Sequence, residues 1–170
     1  ADIDTSQVSH VFNLTLPTAL VLAELYESIL PQVVQVIFPQ WSYGEYLDAH
    51  ASDRGMARRS ATPATGRITI TGIPGTVVPE GSIFSTVSQN SEDPSISYST
   101  DETVTIPQGG SIVVGITCEQ AGTVGNAAAN TVVLVSSAIT GISSVTNTAA
   151  ITGGTDEEDD ASLIERIVEY

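Results

Sequence analysis

GTVGNAAANTVVLVSSAITGISSVTNTAAITGGTDEEDDASLIER, residues 122–166, holds a turn, two strand-like runs, a double-glycine break and an acidic helix start. Gly122 and Gly125 can take the positive φ that other residues avoid, and Asn126 tolerates it, so GTVGN predicts a turn. Residues 131–135 and 142–146 are β-branched and bounded by turn formers, which predicts two strands. After Gly153-Gly154, Thr155 stands where an N-cap belongs and Glu158 follows three residues on, the spacing of a capping box. Asp156, Glu157, Asp159 and Asp160 crowd the expected first turn, where the helix dipole favours negative charge. Leu163, Ile164 and Ile167 then recur at helical spacing. No residue set here is equipped for chemistry.

Toward the N-terminus the period changes. RITITGI (67–73), TVVP (76–79), GSIFSTV (81–87), SISYST (95–100), ETVTIP (102–107) and SIVVGITCE (111–119) each have the length and alternation of a strand. GIPGT and PQGG supply turn chemistry. With the two later runs these predict a mainly antiparallel β-sandwich or open barrel, with Ser and Thr on a solvated face. SQNSEDP (88–94) reads as a mobile exposed loop, and no fixed-period repeat is visible. Residues 15–38 instead space apolar side chains at 22, 26, 29, 33 and 36/37, a helical pattern. Pro17 suits its first turn, and Pro31 predicts a kink or break near Leu30. A second helix is expected from about Tyr43 to Arg54, with Tyr46, Leu47 and His50 on one side and Gly55 ending it. The fold class is α+β: N-terminal helices (1–62), a Ser/Thr-rich β-domain (63–152), and an acidic-capped C-terminal helix (153–170). That last helix has no apolar partner recognisable in the sequence.

The chain has 170 residues and a formal net charge of −15, with five arginines and no lysine. Such a surface repels phosphate backbones and anionic lipid, which argues against nucleic-acid and membrane-surface roles. A hydrophobic share of 41% is enough for a core and argues against global disorder. The lone cysteine, Cys118, excludes an internal disulfide and reads as a small buried thiol. The opening ADIDTSQ has no basic n-region of a secretory signal. Residues 14–38 are apolar, but Glu24, Glu27 and Pro31 interrupt them, so an amphipathic core helix is expected in place of a membrane span. A chain without initiator methionine that ends inside a helix reads as a piece of a longer protein.

The residues that invite chemistry each have a plainer reading. Calcium loops need oxygen ligands at alternating positions around a central glycine, and DEEDD lacks that spacing. His10 and His50 have no second ligand at i+3 or i+4, so His50 reads as a packed or hydrogen-bonded helix residue and His10 as exposed. There is no G-x-S-x-G elbow, no G-x-G-x-x-G, and no P-loop without lysine. Paired carboxylates for glycoside hydrolysis leave no sequence mark, but one tryptophan and three phenylalanines offer little platform for sugar stacking. No catalytic, cofactor-binding or metal residue is assigned, no cofactor is expected, and an enzyme is not expected. Arg54, Arg58, Arg59 and Arg67 lie within fourteen residues. Intramolecular pairing, with Asp48 or Asp53, is the preferred reading over a docking patch for an acidic subunit. Trp41 and Tyr43 could serve equally as core residues or as interface anchors.

The ordered words themselves resemble the baseplate J-like family of contractile phage tails. AGTVGNAAANT, ITGISSVTN and GGTDEEDDASLIERI are similar to that family's AG-x-x-GN turn, G-[IV]-x-x-V-x-N strand and GGTDEE-x-D-x-x-L-x-x-RI segment. Upstream, GEYLD, the helix ending in Arg54-Gly55, RRSATPATG and PGTVVPEG resemble its further signatures, so the likeness covers roughly residues 40–167. In QVSHVFN the chain departs from the family, with Val8 where glycine is usual and Asn13 where aspartate is usual. The resemblance implies a structural wedge subunit of a phage or prophage tail baseplate. Its partners would be other baseplate proteins, with self-association left open and no nucleic acid or membrane involved. It would reside in the virion tail baseplate, made and assembled in the bacterial cytoplasm. The alternative is a β-sandwich module binding carbohydrate or another surface ligand, and a hydrolase comes third.

Overall fold

The computed structural model describes residues 9–88 and 94–169. The loop expected at residues 88–94 lies, apart from its two ends, outside the described residues. The chain divides into two compact units, one running up to Arg58 and resuming at Asp159, the other spanning Arg59–Glu158.

The second unit is the β-domain. Its strands are β1 (Pro63–Gly72), β2 (Val77–Val78), β3 (Ile83–Thr86), β4 (Ser97–Thr100), β5 (Val104–Thr105), β6 (Ser111–Ala121), β7 (Val132–Val135) and β8 (Ile142–Thr146). Every expected strand is present. Six form one antiparallel sheet in the order β7-β3-β4-β6-β1-β8, and β2 pairs with β5. Alternation sets which side faces in: Ile68 and Ile70 on β1 are fully buried while Arg67 and Thr71 are exposed. Opposite them come Val114 and Ile112 on β6, and Val145 on β8 pairs with Ile70. Phe84, Tyr98, Ile116, Cys118, Val132 and Ile151 complete the core. The sheet curls into a nearly closed barrel. Its edge strands β7 and β8 are joined at one end through Asn147, which is fully buried. Asn147 Oδ1 accepts from the backbone N–H of Thr131 and Val132, both at 2.9 Å, and Nδ2 donates to the carbonyls of Ala128 (2.7 Å) and Ala149 (3.0 Å).

The turn at GTVGN is a 3₁₀ turn, Thr123–Gly125. Only Gly122 of this turn uses positive φ (122°), and the non-glycine residue with positive φ among the described residues is Asn130 (63°), not Asn126. Gly125 is required for space: a Cβ there would sit 2.9 Å from Cys118 Sγ. The phenol of Tyr98 donates to the Gly125 carbonyl at 2.8 Å, so the turn is pinned to the core.

The other unit contains the helices. A helical rod, His10–Ile37, consists of α1 (His10–Glu24), a π-helical turn (Leu25–Ile29) and α2 (Leu30–Ile37). Ser9 caps it, accepting from Phe12 N at 3.1 Å, so the start falls earlier than Pro17 suggested and Pro17 sits inside α1. Pro31 does not break the rod. The π turn just before it shifts the hydrogen-bond register, with Leu30 N bonding to Leu25 O, and absorbs the proline whose ring and missing N–H an α register would oppose. The helix α3 (Gly44–Asp53) ends as expected at Gly55 (φ 69°), with Gly55 N on Ser52 O and Met56 N on Ala51 O, a Schellman pair.

Two expectations fail in this unit. The last helix, α4 (Asp160–Glu169), starts four residues later than the capping box implied, and its cap is Asp159, whose Oδ1 accepts from Ser162 N at 2.8 Å. Thr155 instead bridges to Thr62 in the β-domain, because backbone pairing there outcompetes a helical turn. Nor is α4 without a partner: Leu163 and Ile167 are buried against Leu47 and Ala51 of α3.

Candidate assembly surfaces

The acidic segment is dispersed among separate partners. Asp156 clasps the GTVG turn, its Oδ1 accepting from Thr123 N and its Oδ2 from Thr123 Oγ1, both at 2.7 Å. Those bonds, the hydroxyl first, hold its carboxyl below the usual range. Glu158 accepts from Arg59 N at 3.1 Å. Asp160 accepts from Arg58 Nη2 at 2.7 Å and from Gly44 N at the start of α3 at 3.2 Å. The Arg58 hydrogen bond is the main cause of its lowered pKa, and Asp160 in turn raises that of Arg58. Arg58 also reaches Asp48 at 2.9 Å, the intramolecular pairing anticipated for the arginines. Arg54 Nη1 donates to the His50 carbonyl, and Arg166 Nη2 donates to that of Ala57.

His50 Nε2 lies 3.2 Å from the Gln35 carbonyl, and His10 is exposed at the start of α1. Among the described residues no group of three or more His, Cys, Asp or Glu is placed to hold a metal. The barrel carries a cleft of about 290 Å³ between Thr86, Val87, Ile96, Asn130, Thr131 and Val133, with no titratable or aromatic lining residue among the described residues. A second, of about 270 Å³, includes Ser95, Ile96 and Glu119 and again no aromatic side chain among the described residues.

What the molecule offers outward is apolar surface. The reading of residues 14–38 as a core helix is overturned: no residue of α1, the π turn or α2 is buried. Leu14 (77%), Val21 (66%) and Tyr26 (68%) are largely exposed. Trp41 and Tyr43 are likewise at the surface, 58% and 57% exposed, with Trp41 edge-on to Phe38 at 5.0 Å. Their core reading therefore falls. Sequence reasoning found the helix but missed its exposure, because apolar periodicity says which side chains seek cover and not whether this chain supplies it. One signal was there: Leu20, Val21 and Leu22 are consecutive, and at about 100° per residue they spread apolar side chains over about 200°, more than half of the helix circumference.

The barrel itself settles the relationship. Residues 67–154, more than half of the chain, match the model of the baseplate J-like protein barrel domain. The chain belongs to the baseplate J-like family. Relatives agree: it is 28% identical over 139 residues to the Mu-like prophage FluMu protein gp47 of Haemophilus influenzae, across 82% of this chain and 38% of that protein. It is 28% identical over 132 residues to the baseplate protein gp47 of Escherichia phage Mu, across 77% of this chain and 35% of that one. A chain in the cryo-EM structure of the anti-feeding prophage baseplate shares the fold, with a TM-score of 0.55 at 14% identity, over 89% of this chain and 46% of that chain. This baseplate J-like chain thus spans less than half the length of these relatives. The GGTDEE and V-x-N words that resembled the family are the Asp156 clasp and the Asn147 seam, so both are structural.

Proposed function

We propose that this chain is a structural part of a phage or prophage tail baseplate, a wedge component that joins other baseplate proteins and works without an active site. The observation that carries the reading is the family match over the barrel, residues 67–154. The exposed apolar rod adds weight, because an assembly subunit must keep such surface for its neighbours. Its place would be the virion tail baseplate, built in the bacterial cytoplasm.

Deleting the gene that encodes this chain tests the reading. Lysates should then lack baseplates and assembled contractile tails under the electron microscope, and supplying the gene in trans should restore them. Intact infective tails from the deletion strain would overturn it. Turnover of a substrate by pure protein would overturn the absence of an active site.

A further inference from the structure

We propose that His50 is a latch that sets the direction of the rod His10–Ile37, and that the rod pivots at Phe38 when its bond to Gln35 opens. The inference goes beyond the assembly reading and stands without it. No residue of the rod is buried, so packing does little to fix it. Its hydrogen bonds run within the helix or to the Ser9 cap, with one exception among the described residues. His50 Nε2, on α3, lies 3.2 Å from the Gln35 carbonyl in the last turn of α2. A carbonyl only accepts, so Nε2 carries the hydrogen and donates.

The sequence explains why that carbonyl is open. The Val34 carbonyl takes Phe38 N at 3.0 Å, the last helical bond of α2. The next carbonyl, that of Gln35, would take the N–H of residue 39, and residue 39 is proline. A side-chain donor from α3 fills the place, as histidines near helix ends do. The connector is held only locally. Phe38 is extended (φ −120°, ψ 110°), and Pro39–Trp41 form a 3₁₀ turn that lies against α4. Trp41 N bonds to Phe38 O, Ser42 N bonds to Pro39 O, and the Trp41 ring meets that of Phe38; none of these reaches back past Phe38. The proline keeps Phe38 extended but leaves its dihedrals tens of degrees of freedom. On either side of the connector Gln35 Oε1 and Ser42 Oγ are buried without a partner, so the latched geometry is imperfectly satisfied. One hydrogen bond is worth at most about a tenfold shift in population, so losing it frees the rod. The lever is long. Leu14 lies roughly 36 Å from Phe38 along the helix, so a turn of about 20° carries it roughly 12 Å.

Electron–electron double resonance between spin labels at Leu14→Cys on the rod and Ser52→Cys on α3 tests this. Both positions are exposed, whereas Cys118 is buried and should stay unlabelled. With His50 in place the label distances should form one narrow distribution. His50→Phe keeps a ring and loses the donor, and should at least double the width. His50→Ala, which only removes atoms from a half-buried site, should broaden it as well. His50→Gln retains a side-chain N–H and should restore most of the narrow distribution. Circular dichroism and hydrogen exchange of α3 and α4 should match the parent in all three, which separates a lost latch from a lost fold. A broad distribution with His50 present overturns the proposal, and so does a narrow one in His50→Phe or His50→Ala. Broadening in His50→Gln equal to that in His50→Phe overturns it too, because ring packing and not the bond would then hold the rod.

Discussion

Asn147 is the residue whose chemistry is most fully used. Both its lone-pair positions and both its amide hydrogens are bonded in a site closed to water. Asn147→Ala should orphan the Thr131 and Val132 N–H groups and the Ala149 carbonyl, while the Ala128 carbonyl keeps the Thr131 hydroxyl, and destabilise the barrel by about 3 kcal/mol, at 1–3 kcal/mol per unpaired group with partial relaxation. Asn147→Asp should cost about as much, because a carboxylate cannot donate to the Ala128 and Ala149 carbonyls. Urea unfolding of both variants checks this, and an unchanged midpoint for either would refute the seam. Asp156 makes a different, pH-dependent contribution. Its folded pKa is depressed by Thr123, and those of Asp159 and Asp160 are depressed by Ser162 and Arg58. A depressed carboxylate lends stability above its unfolded pKa of about 3.9 and loses it as pH falls through the folded value. The urea midpoint should therefore decline below about pH 4, and Asp156→Asn should lower it at neutral pH while flattening that decline.

At the level of elements, the pairing of α3 with α4 is the contact that organises the helical unit. Leu163 is fully buried against α3, whereas Val168 on the same helix is 66% exposed. Leu163→Ala should destabilise this unit by about 3 kcal/mol, and Val168→Ala by no more than about 0.5 kcal/mol. Hydrogen exchange of α3 and α4 amides measures it, and equal effects would contradict the packing. In the β-domain the double glycine is constrained twice. Gly153 holds φ 91°, and a Cβ on Gly154 would run into the Gly122 carbonyl. Gly154→Ala should thus cost about 1–3 kcal/mol by forcing the clasped segment off the turn, visible as a lowered thermal midpoint.

For the molecule as a whole, stability and assembly should separate. The barrel has its own core of buried residues, while none of the rod's apolar side chains is buried. Val21→Asp with Tyr26→Asp should leave the chain's unfolding within about 0.5 kcal/mol of wild type, since neither side chain is buried. The same pair should sharply reduce incorporation into tails, read by electron microscopy of lysates. Equal losses of stability and assembly would mean the rod is a core element after all.

Local chemistry was legible along the chain. Alternating side chains marked all eight strands, glycine and proline punctuated them, and Gly55 ended α3 where expected, because these features depend on residues a few positions apart. The ordered words from residue 40 onward pointed to the family, and the barrel match bears them out. Partnership across distance was not legible. Thr155 had the credentials of a helix cap, yet Thr62, ninety-three positions earlier, claimed it. Leu163 found Leu47, and Arg58 found Asp160, only once the chain had folded. Apolarity states a demand for cover, and the tertiary arrangement alone decides whether the demand is met inside the chain, as for α4, or left for a neighbour, as for the rod.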